Sequence, residues 1–272
     1  AVVNVLKSDY LTQGPSVSAF EKKICEITGA KYCVAVSNAT AGLHIAVAAL
    51  ELGEGTEGIT TPNTFLASSN CMVYNNVKPV FADIDPVSYN IDPKEIEKHI
   101  TNKTKLLIPV HFAGLSCEMD KISAIAKKHN LHIIEDAAHA IGSQYADGSY
   151  VGNCKYSDMT VFSFHPVKTI TTAEGGAVTT NDEKLYQKLC MLRSHGVTKD
   201  ENLLTKNPGS WYYEMQSLGF NYRMTDMQAA LGVSQLNKLD FFKKRRREVI
   251  AMYNKAFADM RYLKTPYEPE NV

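Results

Sequence analysis

Residues 159–168 read Met159-Thr160-Val161-Phe162-Ser163-Phe164-His165-Pro166-Val167-Lys168, an apolar run that ends in a lysine. The first five residues predict a buried strand. Lysine is usually a solvated surface residue, but Lys168 is flanked by apolar and small residues, with no immediately neighbouring carboxylate. Such surroundings lower the pKa of the ammonium group by desolvation, and a neutral amine is what Schiff-base chemistry requires. On this segment alone, a loop lysine between two strands is the better interpretation.

Similar apolar runs recur along the chain and alternate with amphipathic stretches. Seven segments have the pattern of buried strands: Tyr32–Val36, Gly58–Thr61, Pro79–Ile84, Lys105–Val110, His132–Glu135, Met159–Ser163 and Gly176–Thr179. Four helix-like segments lie between the first five strands: Thr40–Leu50, Thr64–Asn75, Pro93–His99 and Met119–His129. Repeated strand–helix–strand units predict an α/β fold, with a mostly parallel seven-stranded sheet flanked by helices. Ligands of such sheets bind at the carboxyl ends of the strands.

The pattern changes after Thr180. Three more helices are predicted: Asp182–Arg193, Asp226–Leu236 with Thr225 as its N-cap, and a long one from about Asp240 to Ala258. Two stretches have neither helix nor strand pattern: Lys199–Gly209 and Thr265–Glu270.

Composition excludes some classes of function. The 272 residues include 29 Lys and Arg and 29 Asp and Glu, so the formal net charge is zero. A nucleic-acid-binding protein would show a basic excess. The basic run Lys243–Arg247 has helical periodicity and is better explained as a solvated helix face.

Six cysteines are scattered without a C-x-x-C pair, which predicts neither a zinc site nor a disulfide framework. Cys33 and Cys71 lie in apolar runs and are expected in the core. The cysteine pattern favours a reduced, cytoplasmic protein. No apolar run approaches the length of a membrane span, and no signal peptide is recognisable.

Asp136 follows the predicted strand His132–Glu135, and His139 comes three residues later. A buried carboxylate at a strand end is costly without a cationic partner, and a protonated pyridine nitrogen would be such a partner. Two other interpretations stay open. Asp136 could cap the following turn, or Asp136 and His139 could bind a metal, although a third ligand is missing.

A candidate anion site lies between the first predicted strand and its helix. The segment Ser37–Gly42 is rich in small residues, which let backbone N–H groups approach an anion, and the helix N-terminus adds a favourable dipole. Ser163, at the end of its own strand, could supply a hydroxyl group to a phosphate. An ordinary N-cap would use the same residues of the 37–42 segment.

Phe65 ends the segment Thr61-Pro62-Asn63-Thr64-Phe65, at another strand–helix junction. An aromatic side chain there could stack on a planar cofactor ring. Taken alone, a core position is the better interpretation.

The segment Gly53–Gly58 matches the G-x-G-x-x-G pattern of dinucleotide-binding proteins. It follows a predicted helix and precedes a predicted strand, which is the reverse of the dinucleotide-binding order. It also contains two acidic residues, which would repel a pyrophosphate. We therefore interpret it as a helix–strand loop.

Seven ordered motifs resemble those of the sugar-nucleotide aminotransferases of the DegT–DnrJ–StrS family, a branch of the fold type I pyridoxal-phosphate enzymes. The resemblance runs from Leu11-Thr12-Gln13-Gly14-Pro15 to about Leu236. The motifs are Asn38-Ala39-Thr40, Thr61–Phe65, Glu135–Ala140, Ser163-Phe164-His165 with Lys168, Glu174-Gly175-Gly176, Arg193–Gly196 and Gly219–Met224. One such motif is a weak signal, whereas seven in order are specific.

The resemblance implies roles for individual residues. Lys168 attaches the cofactor pyridoxal 5'-phosphate covalently, and Asp136 pairs with the pyridine nitrogen. The other implied cofactor contacts are Phe65 on the ring face, His139 near the ring, Ala39, Thr40 and Ser163 at the phosphate, and Asn221, which reaches the phosphate from the partner subunit. The implied substrate or donor contacts are Gln13, Gly14, His165, His195 and Arg223, and structural packing explains the two histidines equally well. No metal is implied.

The stretch 165–174 is most similar to the transaminases of the pseudaminic acid pathway, which aminate UDP-4-keto-6-deoxy-N-acetyl-hexosamine at C4. The implied reaction is a ping-pong transamination from glutamate to a nucleotide sugar. The implied assembly is a homodimer with shared active sites, without nucleic-acid or membrane partners.

Three alternative functions stay open. The best-known pyridoxal-phosphate sugar dehydratases replace the Schiff-base lysine with histidine, so the presence of Lys168 favours transamination. A non-catalytic, pyridoxal-phosphate-binding regulatory protein would also fit. A nicotinamide oxidoreductase rests on the 53–58 segment alone.

The resemblance also predicts three parts: an N-terminal segment (1–14), a large cofactor-binding α/β domain (15–238), and a linker helix with the start of a smaller C-terminal domain (239–272). The sequence begins inside the family's usual N-terminal region and ends in the helix that leads to the smaller domain. We therefore expect a fragment or a shortened protein.

Overall fold

The computed structural model describes residues 1–269, and a seven-stranded sheet lies at its centre. The strands are β1 (Tyr32–Val36), β2 (Glu57–Thr60), β3 (Lys78–Phe81), β4 (Thr104–Ile108), β5 (His132–Asp136), β6 (Met159–Ser163) and β7 (Gly176–Thr180). Their order in the sheet is β1-β7-β6-β5-β4-β2-β3. All neighbouring pairs are parallel except those of β7, which is antiparallel to both β1 and β6. The predicted fold type I architecture, with a mostly parallel sheet of seven strands, is confirmed.

Helices cover the sheet on both faces. They are α1 (Val2–Leu6), α2 (Pro15–Thr28), α3 (Ala39–Ala49), α4 (Ala67–Tyr74), α5 (Pro93–His99), α6 (Met119–His129), α7 (Glu183–Arg193), α8 (Asp226–Leu236) and α9 (Leu239–Phe257). A 3-10 turn spans Phe112–Gly114, and two short strands, β8 (Val197–Thr198) and β9 (Glu214–Met215), pair with each other. The loop predicted over 199–209 contains no helix or strand, and neither does the described part of the predicted irregular ending, 265–269. Glu270 lies outside the described residues.

Two element ends differ from the prediction for clear reasons. Strand β4 ends at Ile108 rather than Val110 because the intervening Pro109 has no N–H group to donate to the ladder. Helix α4 begins at Ala67 rather than Thr64, since the preceding residues form an irregular loop at the carboxyl end of β2.

Helix α2 was missing from the prediction. Pro15 occupies its first turn, and Gly29 ends it in the left-handed conformation with φ of 84°, which are common helix boundaries. Its apolar residues Phe20 and Ile24 are completely buried. The helix precedes the first strand, outside the strand–helix alternation from which helices were predicted.

The core is divided between the two faces of the sheet because side chains alternate along each strand. Ala35 and Leu107 belong to one cluster, which also holds Phe20 of α2. Val34 belongs to the other cluster, which α3, α4 and α7 cover. The core positions predicted for two cysteines are confirmed: Cys33 lies in the first cluster and Cys71 in the second.

The strand register brings several candidate residues to one edge of the sheet. Ser163, the last residue of β6, pairs with Gly176, the first residue of the antiparallel β7. On the other side, Gly176 pairs with Val36, the last residue of β1. Asp136 ends β5 and pairs with Val161. The carboxyl ends of β1, β5 and β6 therefore meet at this edge, where parallel sheets bind ligands.

Helix α9 packs against this unit through buried Leu239. Lys243 donates a hydrogen bond of 2.5 Å to the carbonyl oxygen of Gly142. The basic run 243–247 lies on this helix, as predicted. The domain boundary at 238/239 stays a prediction, and residues 270–272 lie outside the described range. Within residues 1–269, no helix is long and apolar enough to cross a membrane.

Candidate active site

The first component of the site is the N-terminus of α3. The N-cap Asn38 accepts a hydrogen bond from the backbone of Ala41 (2.8 Å) with its side chain and one from Gly42 (3.1 Å) with its carbonyl oxygen. The first amides of a helix have no partner within the helix, so the N–H groups of Ala39 and Thr40 are placed to bind an anion. The N-cap interpretation is therefore confirmed, while the anion site at the two following amides stays a prediction.

Gly176 brings Ser163 close to this helix end. A Cβ atom at Gly176 would lie 2.7 Å from the backbone nitrogen of Ala39 and 2.8 Å from the carbonyl oxygen of Asn38. Strand β7 therefore touches the α3 N-terminus directly. Because Ser163 pairs with Gly176, its hydroxyl group lies one strand away from the free amides.

We predict that Gly176→Ala weakens cofactor binding at least about tenfold, because the new methyl group must push the α3 N-terminus away from β6. Overpacking of this kind also costs roughly 1–3 kcal/mol of stability. Titration of the apoprotein with pyridoxal phosphate, together with thermal unfolding, checks both effects. Gly53→Ala is the matched control, since the nearest heavy atom to its Cβ is 3.9 Å away. Equal cofactor affinity in the two variants would contradict the prediction.

The second component is Asp136, which is 5% exposed. One carboxylate oxygen accepts a hydrogen bond from the backbone of Ala138 (3.1 Å) and the other from the hydroxyl of Ser68 (2.6 Å). The capping interpretation is therefore correct for one oxygen, while each oxygen keeps a second lone pair for a further donor. Within residues 1–269, no group of three His, Cys, Asp or Glu could hold a metal, so the metal interpretation gains no support.

The third component is Lys168, whose side chain is partly buried. Its backbone N–H donates to the carbonyl oxygen of His165 (2.9 Å) and closes a turn. Arg246 donates to its carbonyl oxygen (3.3 Å). Burial lowers the pKa of Lys168 below its ordinary value, although the negative charge of Asp136 opposes the shift. The predicted desolvation of Lys168 is confirmed.

His139 lies within the electrostatic influence of both groups. Burial lowers its pKa, the charge of Lys168 lowers it further, and Asp136 opposes both effects. Its Nδ1 atom accepts a hydrogen bond from the backbone of Ala113 (3.2 Å). The neutral ring therefore carries its proton on Nε2, which is a donor.

Phe65 is 69% exposed, so the core position that its apolar character alone favoured is wrong, and its ring is available for the stacking role that the family resemblance implies. It occupies the loop between β2 and α4. Its neighbour Thr64 contacts Ser68, which in turn contacts Asp136. The loop that carries the exposed ring of Phe65 is thus linked by hydrogen bonds to the buried carboxylate of Asp136.

Three further predicted residues, Gln13, Gly14 and Arg223, lie on or beside segments that pair with each other. Arg223 forms a bridge with Val36, and Thr225, two residues later, forms one with Thr12, next to Gln13 and Gly14. Gln13 is exposed and has a left-handed backbone with φ of 55°.

Asn221 and His195 lie on paired segments at the same end of this region. Asn221 forms a bridge with Ser194, and the amide of His195 donates to Phe220 (2.8 Å). Both residues are exposed, as is His165 on the turn before Lys168.

Sequence reasoning missed Ser68 and Gly176 as parts of the site. Gly176 stood in a recognised motif, and its strand-initial position beside the predicted phosphate residues was the available signal. Ser68 follows Phe65 by three residues, a spacing that returns a side chain to the same side of a helical turn. Its buried contact with Asp136 joins residues 68 positions apart.

A sequence profile of the DegT/DnrJ/EryC1/StrS aminotransferase family matches residues 1–272. The spore coat polysaccharide biosynthesis protein SpsC of Bacillus subtilis is 44% identical over 266 residues, which are 98% of this chain and 68% of that protein. Among solved structures, Helicobacter pylori PseC, an aminotransferase involved in the biosynthesis of pseudoaminic acid, has 38% identity and a TM-score of 0.88 over 96% of this chain and 67% of its own. The PLP form of the putative sugar aminotransferase Spr1654 from Streptococcus pneumoniae has 33% identity and a TM-score of 0.87, covering 96% of this chain and 68% of its own.

Proposed function

This chain belongs to the DegT/DnrJ/EryC1/StrS aminotransferase family, and we propose that it moves an amino group from glutamate to the C4 keto group of a UDP-4-keto-6-deoxy-N-acetyl-hexosamine. It is a sugar aminotransferase whose cofactor is pyridoxal 5'-phosphate. The similarity to PseC supports this particular sugar. The observation that carries the transaminase assignment is Lys168, an amine with a lowered pKa beside the buried carboxylate of Asp136.

The groups at the sheet edge fit this cofactor at three separate points. The amides of Ala39 and Thr40, with the hydroxyl of Ser163, suit a phosphate dianion. A free lone pair on Asp136 suits a protonated ring nitrogen, which supplies the cation that this buried carboxylate otherwise lacks. Lys168 suits the aldehyde.

Two further cofactor contacts are assigned, one from the exposure of Phe65 and the other from the position of the proton on His139. Phe65 offers an exposed aromatic face for stacking on the ring, and His139 offers an Nε2 donor near it.

In the proposed mechanism, Lys168 moves a proton and Asp136 holds one in place. When bound, pyridoxal phosphate supplies an aldehyde that exchanges amino groups and a ring that accepts the electrons of a carbanion. Lys168, whose pKa burial lowers, would remove the proton from Cα of the amino donor and deliver it again in the second half of the ping-pong cycle. Asp136 holds the proton on the ring nitrogen, which maintains the ring as an electron acceptor.

A homodimer with shared sites is part of the proposal. Asn221 is exposed and is assigned to the phosphate of the partner's cofactor. Large exposed apolar side chains support an interface: Phe65 at 69%, Trp211 at 69% and Leu218 at 77%.

We assign Gln13, Gly14, His165, His195 and Arg223 to the substrate or the donor. The boundary between a large domain (15–238) and a following smaller one, and a cytoplasmic location, also belong to the proposal.

Two half-reactions test the proposed donor and acceptor separately. The purified protein is loaded with pyridoxal phosphate, and its visible absorption band is followed after addition of glutamate, with aspartate and alanine for comparison. Fast loss of the band with glutamate is expected, since the cofactor takes up the amino group. The UDP-4-keto sugar should then restore the band, and its dTDP-4-keto-6-deoxyglucose counterpart should act at least about tenfold more slowly if the nucleotide and N-acetyl group are recognised. A band that glutamate leaves unchanged would contradict the donor, and equal rates with both sugars would contradict the acceptor.

A further inference from the structure

Three hydroxyl and carboxylate groups form a chain that leads to Asp136. Thr64 Oγ1 lies 2.7 Å from Ser68 Oγ, which lies 2.6 Å from Asp136 Oδ2. Ser68 is completely buried, and Asp136 is 5% exposed. The chain therefore lies mostly out of water, where such hydrogen bonds are strong and polarise one another.

The protons in this chain can be assigned from its chemistry. An ionised carboxylate only accepts hydrogen bonds, and a serine hydroxyl has one proton to donate. Ser68 must therefore donate to Asp136, and 2.6 Å is the length expected for an O–H group donating to a charged oxygen. Thr64 must then donate to Ser68. Both protons therefore point along the chain towards Asp136 Oδ2.

The chain also joins two parts of the site that lie on different elements. Asp136 ends β5, whereas Ser68 lies in the first turn of α4 and Thr64 in the loop before it. Thr64 is bonded covalently to Phe65, the exposed aromatic residue, and Ser68 contacts the Phe65 carbonyl oxygen at 3.3 Å. One buried hydroxyl thus fixes the distance between the carboxylate and the aromatic loop.

We propose that Ser68, supported by Thr64, is a positioning residue that holds the Asp136 carboxylate in one orientation relative to Phe65. This inference rests on the proposed role of Asp136 at the ring nitrogen of pyridoxal phosphate. Ser68 does not touch the reacting atoms. Its loss should therefore alter the electronic state of the bound cofactor and the rate of proton transfer more than the affinity for the donor.

The test compares Ser68→Ala, Thr64→Val and the double variant. Without the Ser68 hydroxyl, the carboxylate loses the donor that fixes its orientation, so its hydrogen bond with the ring nitrogen should weaken and hold the ring proton less firmly. With ¹⁵N-labelled pyridoxal phosphate bound, the ring-nitrogen resonance should move towards the unprotonated value in Ser68→Ala. The rate constant of the glutamate half-reaction should fall about tenfold, with the donor KM changed less than about twofold.

The second variant keeps the inference testable if Ser68→Ala folds poorly, because Thr64 is only partly buried in a loop. Thr64→Val should show the same changes at about a third of their size, since it acts through Ser68. The double variant should match Ser68→Ala, because Thr64 acts only through Ser68 and its loss has no further effect once the Ser68 hydroxyl is absent.

Ser69→Ala is the matched control. Ser69 is the next residue of the same helical turn, and its hydroxyl donates to Leu66 (3.1 Å) rather than to Asp136. It should behave as the wild type. An unchanged ring-nitrogen resonance in Ser68→Ala, additive effects of the two substitutions, or an equal change in Ser69→Ala would each overturn the inference. The resonance requires only bound cofactor, so failure of the proposed donor or sugar is distinguished from failure of the role of Ser68.

Discussion

Lys168→Ala is expected to abolish turnover, lowering kcat by at least about 10³-fold, because it removes both the covalent attachment point and the group that moves the proton. The fold should survive, since the Lys168 side chain is only partly buried and makes no hydrogen bond or ion pair within residues 1–269. Ala39, Thr40, Ser163 and Asp136 remain, so the variant should still bind pyridoxal phosphate without attaching it. Steady-state rates, borohydride reduction followed by peptide mapping, and thermal unfolding measure the three effects.

A second substitution separates charge from proton transfer. Lys168→Arg keeps a cation, but a guanidinium group stays protonated and cannot act as a base. It should be as inactive as Lys168→Ala. Added methylamine should restore part of the glutamate half-reaction in Lys168→Ala only, because alanine leaves space for a free amine. Borohydride labelling of another lysine, or more than about 1% residual kcat in Lys168→Ala, would contradict the role of Lys168.

The parts of this site that were predictable from sequence are the parts carried by strand ends. A short apolar run predicts a strand, and a chemically unusual residue that follows it is expected near the strand's carboxyl end. The strand direction then determines which edge of the sheet that residue occupies. These strand ends drew attention to Asp136 and Lys168, and the family resemblance implied their roles. The charge of Asp136 raises the pKa of Lys168 against the effect of burial, which agrees with the expected proximity of the two residues.

The parts that were not predictable depend on contacts between distant segments. Ser68 has no unusual sequence surroundings, and only the tertiary arrangement that brings the first turn of α4 to the end of β5 places its hydroxyl on Asp136. The exposure of Phe65 is similar, because its apolar character indicated the core while the irregular loop before α4 turns it outward. The local sequence pattern predicts which segments form helices and strands, whereas the contacts of a side chain depend on the tertiary arrangement.

Glu135 precedes Asp136 on β5, and alternation along the strand directs the two carboxylates to opposite faces of the sheet. Glu135 is completely buried. Each of its oxygens accepts two hydrogen bonds: one from His111 Nε2 (2.7 Å) and Tyr145 (2.7 Å), the other from Thr160 (3.1 Å) and Ser157. Since His111 Nδ1 accepts from the backbone of Cys117 (3.1 Å), Nε2 carries the proton that His111 donates to Glu135.

We expect Glu135→Ala to lower the free energy of unfolding by about 3–5 kcal/mol, because it leaves four buried donors without their acceptor. At roughly 2–4 °C for each kcal/mol, the melting temperature should fall by about 10 °C. Denaturant and thermal unfolding measure the loss. The control is Glu118→Ala, which removes an exposed carboxylate paired with Lys121 and should cost less than about 1 kcal/mol.

The difference between wild type and Glu135→Ala should also depend on pH. Burial alone would raise the pKa of Glu135, but the hydrogen bonds from His111, Ser157 and Tyr145 lower it below its ordinary value of 4.5. A carboxyl group with a lowered folded-state pKa stabilises the fold fully above its unfolded-state pKa, and the contribution is lost as pH falls through the folded-state value. The gap in unfolding free energy between the two proteins should therefore be largest at neutral pH and should narrow below about pH 4.5. A gap that stays constant between pH 7 and pH 4, or widens in acid, would show that Glu135 is not held as a buried anion.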